Sequence, residues 1–266
     1  MDKAIGVFDS GIGGLTVLKE LINTLPEENT IYLGDTARVP YGIKSADTVI
    51  RYSLENAEFL FSKNIKLLVV ACNTASAVGI PALRDKYKLP IIGVIGPGAR
   101  KAIKVTKGKR VGVIGTEGTI KSGAYLNSLK AIDPKITVVS QACPLFVPLV
   151  EEGWIDNDIA FLTAERYLHT LKEANVDTLI LGCTHYPLLK DVIGKILGDG
   201  VLLVDSAEET AAEVVEVLRS NNLLKIGNKS AVHEFYVTDA PEKFVETGAR
   251  FIQGNKFENV KQISVA

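Results

Sequence analysis

The chain has 266 residues, is 47% hydrophobic and carries a net charge of −1, with a pI near 6.3. That length suits one large domain or two small ones, each with a proper core, and the near-neutral charge gives no basic footprint for nucleic acid or an anionic membrane surface. Three widely spaced cysteines, no apolar run near the roughly 18 residues of a membrane span, and an N-terminus without a signal-peptide pattern predict a cytoplasmic protein with reduced thiols.

Short apolar runs recur along the chain at 4–8, 30–34, 65–71, 89–95, 110–115, 135–140, 176–182, 201–204 and 233–238. They are rich in Val, Ile and Leu without polar alternation, as in strands of parallel sheets buried on both faces. The intervening segments read as helices. Residues 45–63 put Val49, Ile50, Leu54, Ala57, Leu60 and Phe61 on one face, with Ser45 as the N-cap. Residues 156–174 and 206–221 have similar patterns. Strand–helix alternation of this kind predicts α/β architecture.

An internal repeat is visible. "IGVFDSGIGGLTVL" (5–18) resembles "VGVIGTEGTIKSGAYL" (111–126), each a strand, a polar Gly-rich turn and a helix. The first copy precedes "VVACNTASAVGIP" (69–81) and the second precedes "LILGCTHYPLL" (179–189), at nearly equal spacing. Two pseudo-symmetric α/β domains with mostly parallel central sheets follow, each ending a strand in a cysteine. "GPG" (96–98) is the expected crossing, with a return near 205–207.

Ligands of open α/β sheets bind beyond the carboxyl ends of the strands, where this reading places Cys72 and Cys183. A lone buried cysteine is commonly just a small hydrophobe; two at matched positions of a repeat point to chemistry. A thiol at a helix N-terminus ionises more readily, so the base is expected below the free-thiol value of roughly 8.5. Asp9, which can face Cys72 across the strand tips, and His185, two residues after Cys183, read either as groups that tune proton transfer or as a turn residue and a structural imidazole. Cys143 has no matching partner and is assigned to packing. "DSGIGGL" (9–15) fails the dinucleotide pattern, because Thr16 holds its third glycine position. Ser10 and the loop's backbone N–H groups are expected to face a small anion instead. "GDTARVPYG" (34–42) is a second loop suited to binding. The histidines and cysteines lack zinc-site spacing, so no metal is expected.

Together "FDSGIGGL", "GDTARVPYG", "ACNTAS", "CPLFVPLVEEG" and "GCTHYPLL" closely resemble the motifs of the glutamate racemases, within the aspartate/glutamate racemase superfamily. The likeness runs from residue 5 to about residue 210, in the same order. It implies an active site between the two domains, the first formed by residues 1–96 plus 208–266 and the second by 97–207. It implies cofactor-independent interconversion of L- and D-glutamate, supplying D-glutamate for peptidoglycan, by a protein that forms a homodimer. By position, Cys72 and Cys183 match the two catalytic cysteines, and Asp9, His185 and Glu151 match supporting groups, with the adjacent Glu152 the alternative to Glu151. Asp9, Ser10, Tyr41, Gly42, Asn73, Thr74, Thr184 and His185 match the substrate contacts.

Racemisation without pyridoxal phosphate needs a proton removed from one face of a carbon and returned on the other. Two facing thiols suit that task, one as thiolate base and one as thiol acid. The family pattern suggests Cys183 for L-glutamate and Cys72 for D-glutamate. Two other readings of the residues stay open: a cysteine hydrolase using Cys183 and His185, and a non-catalytic amino-acid-binding module of two α/β lobes.

Overall fold

The computed structural model describes residues 3–225, 230–252 and 259–265. Strands β1 (Ile5–Asp9), β2 (Thr30–Gly34), β3 (Leu67–Val70) and β4 (Ile91–Gly93) are followed by β5 (Arg110–Gly115), β6 (Thr137–Ala142), β7 (Thr178–Gly182) and β8 (Leu202–Asp205). β9 (His233–Val237) and β10 (Lys261–Gln262) complete the order. They form a six-stranded sheet, β10-β9-β2-β1-β3-β4, and a four-stranded sheet, β6-β5-β7-β8. Every pairing among the described residues is parallel.

The order β2-β1-β3-β4 recurs as β6-β5-β7-β8, so the repeat seen in the sequence is a repeat of topology. Two α/β domains result, and the first sheet is widened by strands from the C-terminal part of the chain. Cys72 follows β3 and Cys183 follows β7, the equivalent strands. The registers level the strand tips: Asp9 pairs with Gly34, Phe8 with Val70, and Gly115 with both Ala142 and Gly182. Each cysteine motif therefore emerges next to the Gly-rich turn of its own half.

Strands β1, β2, β3 and β7 are wholly buried, as expected for apolar runs covered by helices on both faces. β6 and β8 are edges and are only partly covered. One apolar cluster joins the two domains, taking in Val7 and Val69 from one sheet and Ile114 and Leu181 from the other. The halves thus share a core with no linker between them.

The nine expected strands are present with small shifts. The run at 89–95 is strand only over Ile91–Gly93, because the Ile95–Val105 helix begins in its last residue. "GPG" lies in that helix's first turn, where proline is tolerated because its missing N–H would have had no helical partner. β10 lies beyond any run read from the sequence. Ser45 caps the Ala46–Ser62 helix, accepting from the Thr48 N–H at 3.3 Å. The buried face of that helix includes Ser53 and Asn56, while Ile50 and Leu54 are only half-buried. Asn56 is buried because it joins a polar network, a reason invisible to hydrophobic periodicity.

Candidate active site

Cys72 is the N-cap of the Asn73–Lys86 helix, and its Sγ accepts from the Ala75 N–H at 3.4 Å. The thiol sits at a helix N-terminus as expected, yet it is not easily ionised. Burial, reinforced by the nearby Asp9 carboxylate, pushes it up to about 12 against the hydrogen bonds of Ser10 and Ala75. The expectation of a lowered thiol value therefore fails for Cys72: loss of water outweighs the helix terminus. Asp9 itself is fully buried at the tip of β1. Its Oδ2 accepts from the Gly11 N–H at 2.9 Å. Burial lifts its carboxyl above the usual range despite the charge of His185 and backbone hydrogen bonds from Gly11, Gly14 and Ser10. The Gly11 N–H of the Gly-rich turn thus serves the protein's own Asp9, while Ser10 lines the cleft.

Cys183 has different company. Its Sγ lies 3.8 Å from His185 Nδ1, and His185 Nε2 lies 3.0 Å from Glu151 Oε1. Burial alone would lower the imidazole, but the hydrogen bonds and charges of Cys183 and Glu151 win, raising it to about 10. Burial would raise Glu151, and its bond to His185 reverses that and lowers it. Of the adjacent pair, Glu151 faces His185 and Glu152 does not reach the cleft. Phe251 stands edge-on to the imidazole at 5.4 Å, and Arg250 donates to the Glu151 carbonyl at 2.6 Å.

The Gly-rich turn brings the two sides together. A Cβ on Gly13 would fall 2.2 Å from Thr184 Oγ1 and 2.5 Å from His185 Nδ1, so only glycine lets this turn press against the second domain. Thr16 donates to the Thr184 carbonyl across the same contact at 3.2 Å. Gly42 plays a similar part, since a Cβ there would come 2.6 Å from Thr116 Cβ. The Tyr41 side chain turns away from the cleft chemistry: its hydroxyl donates to buried Asp35, which also holds Arg38 and Thr238. Asn56 closes this network through Tyr41 Oη at 3.0 Å.

Ser10, Tyr41, Gly42, Cys72, Asn73, Thr74, Cys183, Thr184, His185 and Glu151 line one narrow cleft between the domains. Asp9 is absent from the lining. Thr116 is not among the site residues read from the sequence, yet it lines the cleft and forms a hydroxyl triangle with Thr74 (2.9 Å) and Thr119 (3.1 Å). The repeat carried the signal: Thr116 follows β5 as Ser10 follows β1. Cys143 is buried in the shared core away from the cleft, and all three cysteines are free thiols. Among the described residues no cluster of three or more His, Cys, Asp or Glu side chains could hold a metal, and no helix is long and apolar enough to cross a membrane.

Residues 5–214 match the model of the Asp/Glu/Hydantoin racemase family. A glutamate racemase of Geobacter metallireducens is 60% identical over 263 residues, spanning 99% of this chain and 97% of its own. Among solved structures, a glutamate racemase isoform of Bacillus anthracis superposes with a TM-score of 0.95 at 43% identity, over 99% of this chain and 98% of that one. The glutamate racemase of Francisella tularensis, solved in complex with D-glutamate, gives 0.94 at 40% identity with the same coverage. The chain belongs to the glutamate racemase branch of the Asp/Glu/Hydantoin racemase family and is an amino-acid racemase, an isomerase.

Proposed function

We propose that the protein interconverts L- and D-glutamate by proton transfer between Cys72 and Cys183, without pyridoxal phosphate, and so supplies D-glutamate for peptidoglycan. The observation that carries this reading is the position of the two thiols. They follow equivalent strands of the two domains and line the same cleft. Substrate lies between them with its α-carbon offered to one sulfur on each face. With L-glutamate, Cys183 takes the α-proton while Cys72 delivers its own to the opposite face. With D-glutamate the roles reverse.

The surroundings suit those roles. Cys72, held up to about 12, keeps a proton to give. His185, raised to about 10, holds a proton beside Cys183, anchored by Glu151. Charge developing on the substrate meets hydroxyl and amide donors at Ser10, Asn73, Thr74, Thr116 and Thr184, and the backbone of the Tyr41–Gly42 turn, since the Tyr41 hydroxyl is held by Asp35. A hydrolase with Cys183 and His185 would leave Cys72 idle, and a binding module would need neither thiol.

The domain division at 1–96 plus 208–266 and 97–207 belongs to the same proposal. It is supported by the first sheet drawing its strands from 5–93 and 233–262 and the second from 110–205. Residues 1, 2, 226–229, 253–258 and 266 of those spans lie outside the described residues. We also propose a homodimer in the cytoplasm, the dimer being read by light scattering. The test of activity is polarimetry of L-glutamate with purified protein, a metal chelator and no added cofactor. Rotation should decay to zero, and L-aspartate should turn over far more slowly. Activity only on adding pyridoxal phosphate or a metal would overturn the cofactor-free mechanism, and a preference for L-aspartate would overturn the substrate.

A further inference from the structure

Tyr125 sits in the Ala124–Ile132 helix of the second domain and is buried. Its hydroxyl donates to Asn73 Oδ1 at 2.7 Å, a bond that crosses from one domain to the other. Asn73 directly follows Cys72, lines the cleft and is buried. Its Nδ2 has no partner in the protein. Gly182, just before Cys183, makes room for the tyrosine ring, since a Cβ there would fall 3.0 Å from Tyr125 Cε2. One side chain therefore packs against the residue preceding one catalytic cysteine and bonds the residue following the other.

A tyrosine hydroxyl has a single proton to donate. Ser206, buried at the start of the Ser206–Ser220 helix, is a neighbour of the Tyr125 hydroxyl across Gly98, and its own hydroxyl works against the rise that burial imposes on that phenol. Tyr125 directs that proton at Asn73. Only the carbonyl end of the carboxamide can accept it, so Oδ1 faces Tyr125 and Nδ2 is turned the other way. A buried amide donor left without an acceptor is costly. A carboxylate oxygen of the substrate is the acceptor that relieves it.

We propose that Tyr125, backed by Ser206, is a positioning residue: it fixes the Asn73 carboxamide with its N–H₂ presented to a substrate carboxylate. Because the bond spans the domains, that presentation depends on the two halves standing at the right separation. This inference rests on the glutamate reading above. Tyr125→Phe keeps the ring and removes the proton, letting the amide rotate.

The test is a double-mutant cycle in steady-state kinetics, with racemisation of L- and D-glutamate by the wild type as the control. Tyr125→Phe should raise KM for both enantiomers about tenfold while changing kcat much less. In an Asn73→Ala background the same change should have no further effect, because there is no amide left to orient. Ser206→Ala, which leaves Tyr125 in place, should act in the same direction more weakly and should also vanish in that background. It decides the matter if Tyr125→Phe does not fold. Wild-type kinetics in both Tyr125→Phe and Ser206→Ala, or an effect carried in full into the Asn73→Ala protein, would overturn the inference while leaving the racemase reading intact. A wild type that leaves glutamate unchanged would sink that reading, and the role of Tyr125 with it.

Discussion

The two cysteine-bearing strand ends share one topology and differ in their proton equipment. At Cys72 the thiol caps a regular helix, with a buried carboxylate, Asp9, behind it. At Cys183 the strand runs into the one-turn Tyr186–Leu189 3-10 helix, and the neighbour is an imidazole held by a second carboxylate. The duplicated fold supplies equivalent positions for two sulfurs. It does not supply equivalent environments, which come from residues outside the repeat, such as Glu151 and Phe251. A racemase needs symmetry of place, and the chain meets that need without symmetry of tuning.

The largest expected effect erases either side. Cys72→Ser and Cys183→Ser should each lower racemisation by about 10³-fold or more, because a serine hydroxyl is far too weakly acidic to provide the anion. Polarimetry reads this directly, and near wild-type turnover in either variant would revive the hydrolase or single-base readings. The remnant should expose the division of labour: with Cys183 intact, the L-configured β-chloro analogue of glutamate should still lose HCl, and with Cys72 intact, the D-configured one.

Next come the carboxylates. Glu151→Gln should cut turnover by about a hundredfold. It should also bring the alkaline limb of the pH–rate profile down from about 10, since Glu151 helps hold the proton on His185. Asp9→Asn should lower the Cys72 thiol from about 12, as the neighbouring negative charge is gone. Thiolate absorbance against pH reads this shift. If neither titration moves, the difference between the two ends has been assigned to the wrong residues.

Much of this was legible in the sequence, for local reasons. Nine strands, the Ser45 cap and the two cysteine motifs each announce themselves within a few residues. The repeat between 5–18 and 111–126 gave the duplicated order of the sheets. What was not legible depended on distant approach. The choice between Glu151 and Glu152 turns on the phase of a six-residue helix against His185. The burial of Asn56 carries no signal in hydrophobic periodicity, because it depends on Tyr41, Asp35 and Arg38 closing around it. The height of Cys72 was misjudged because helix capping is written in neighbouring residues, while burial is a property of the whole fold.

Gly13 tests the seam between the halves. Gly13→Ala should destabilise the protein by about 1–3 kcal/mol through overpacking and should displace His185 more than Cys72. The alkaline limb should then move while the titration of Cys72 stays in place. The reverse pattern would mean that the turn serves the first domain alone.

A smaller effect concerns stability. His185 rises from 6.5 to about 10 on folding. The folded state thus holds a proton that the unfolded chain releases. Its contribution is present in full below pH 6.5 and is lost as pH rises towards about 10. The Tm of the wild type should fall across that window, and more steeply than that of His185→Gln. Equal slopes would remove the proton from His185.

The central claim, one thiol for each face of the α-carbon, is tested most directly by racemising L-glutamate in deuterated water and following Cα label in both enantiomers at early times. Two bases with one proton each predict deuterium almost entirely in the D-product, with the recovered L-glutamate nearly free of label. Early appearance of label in the recovered L-glutamate at a rate matching product formation would contradict that claim and point to a single base serving both faces.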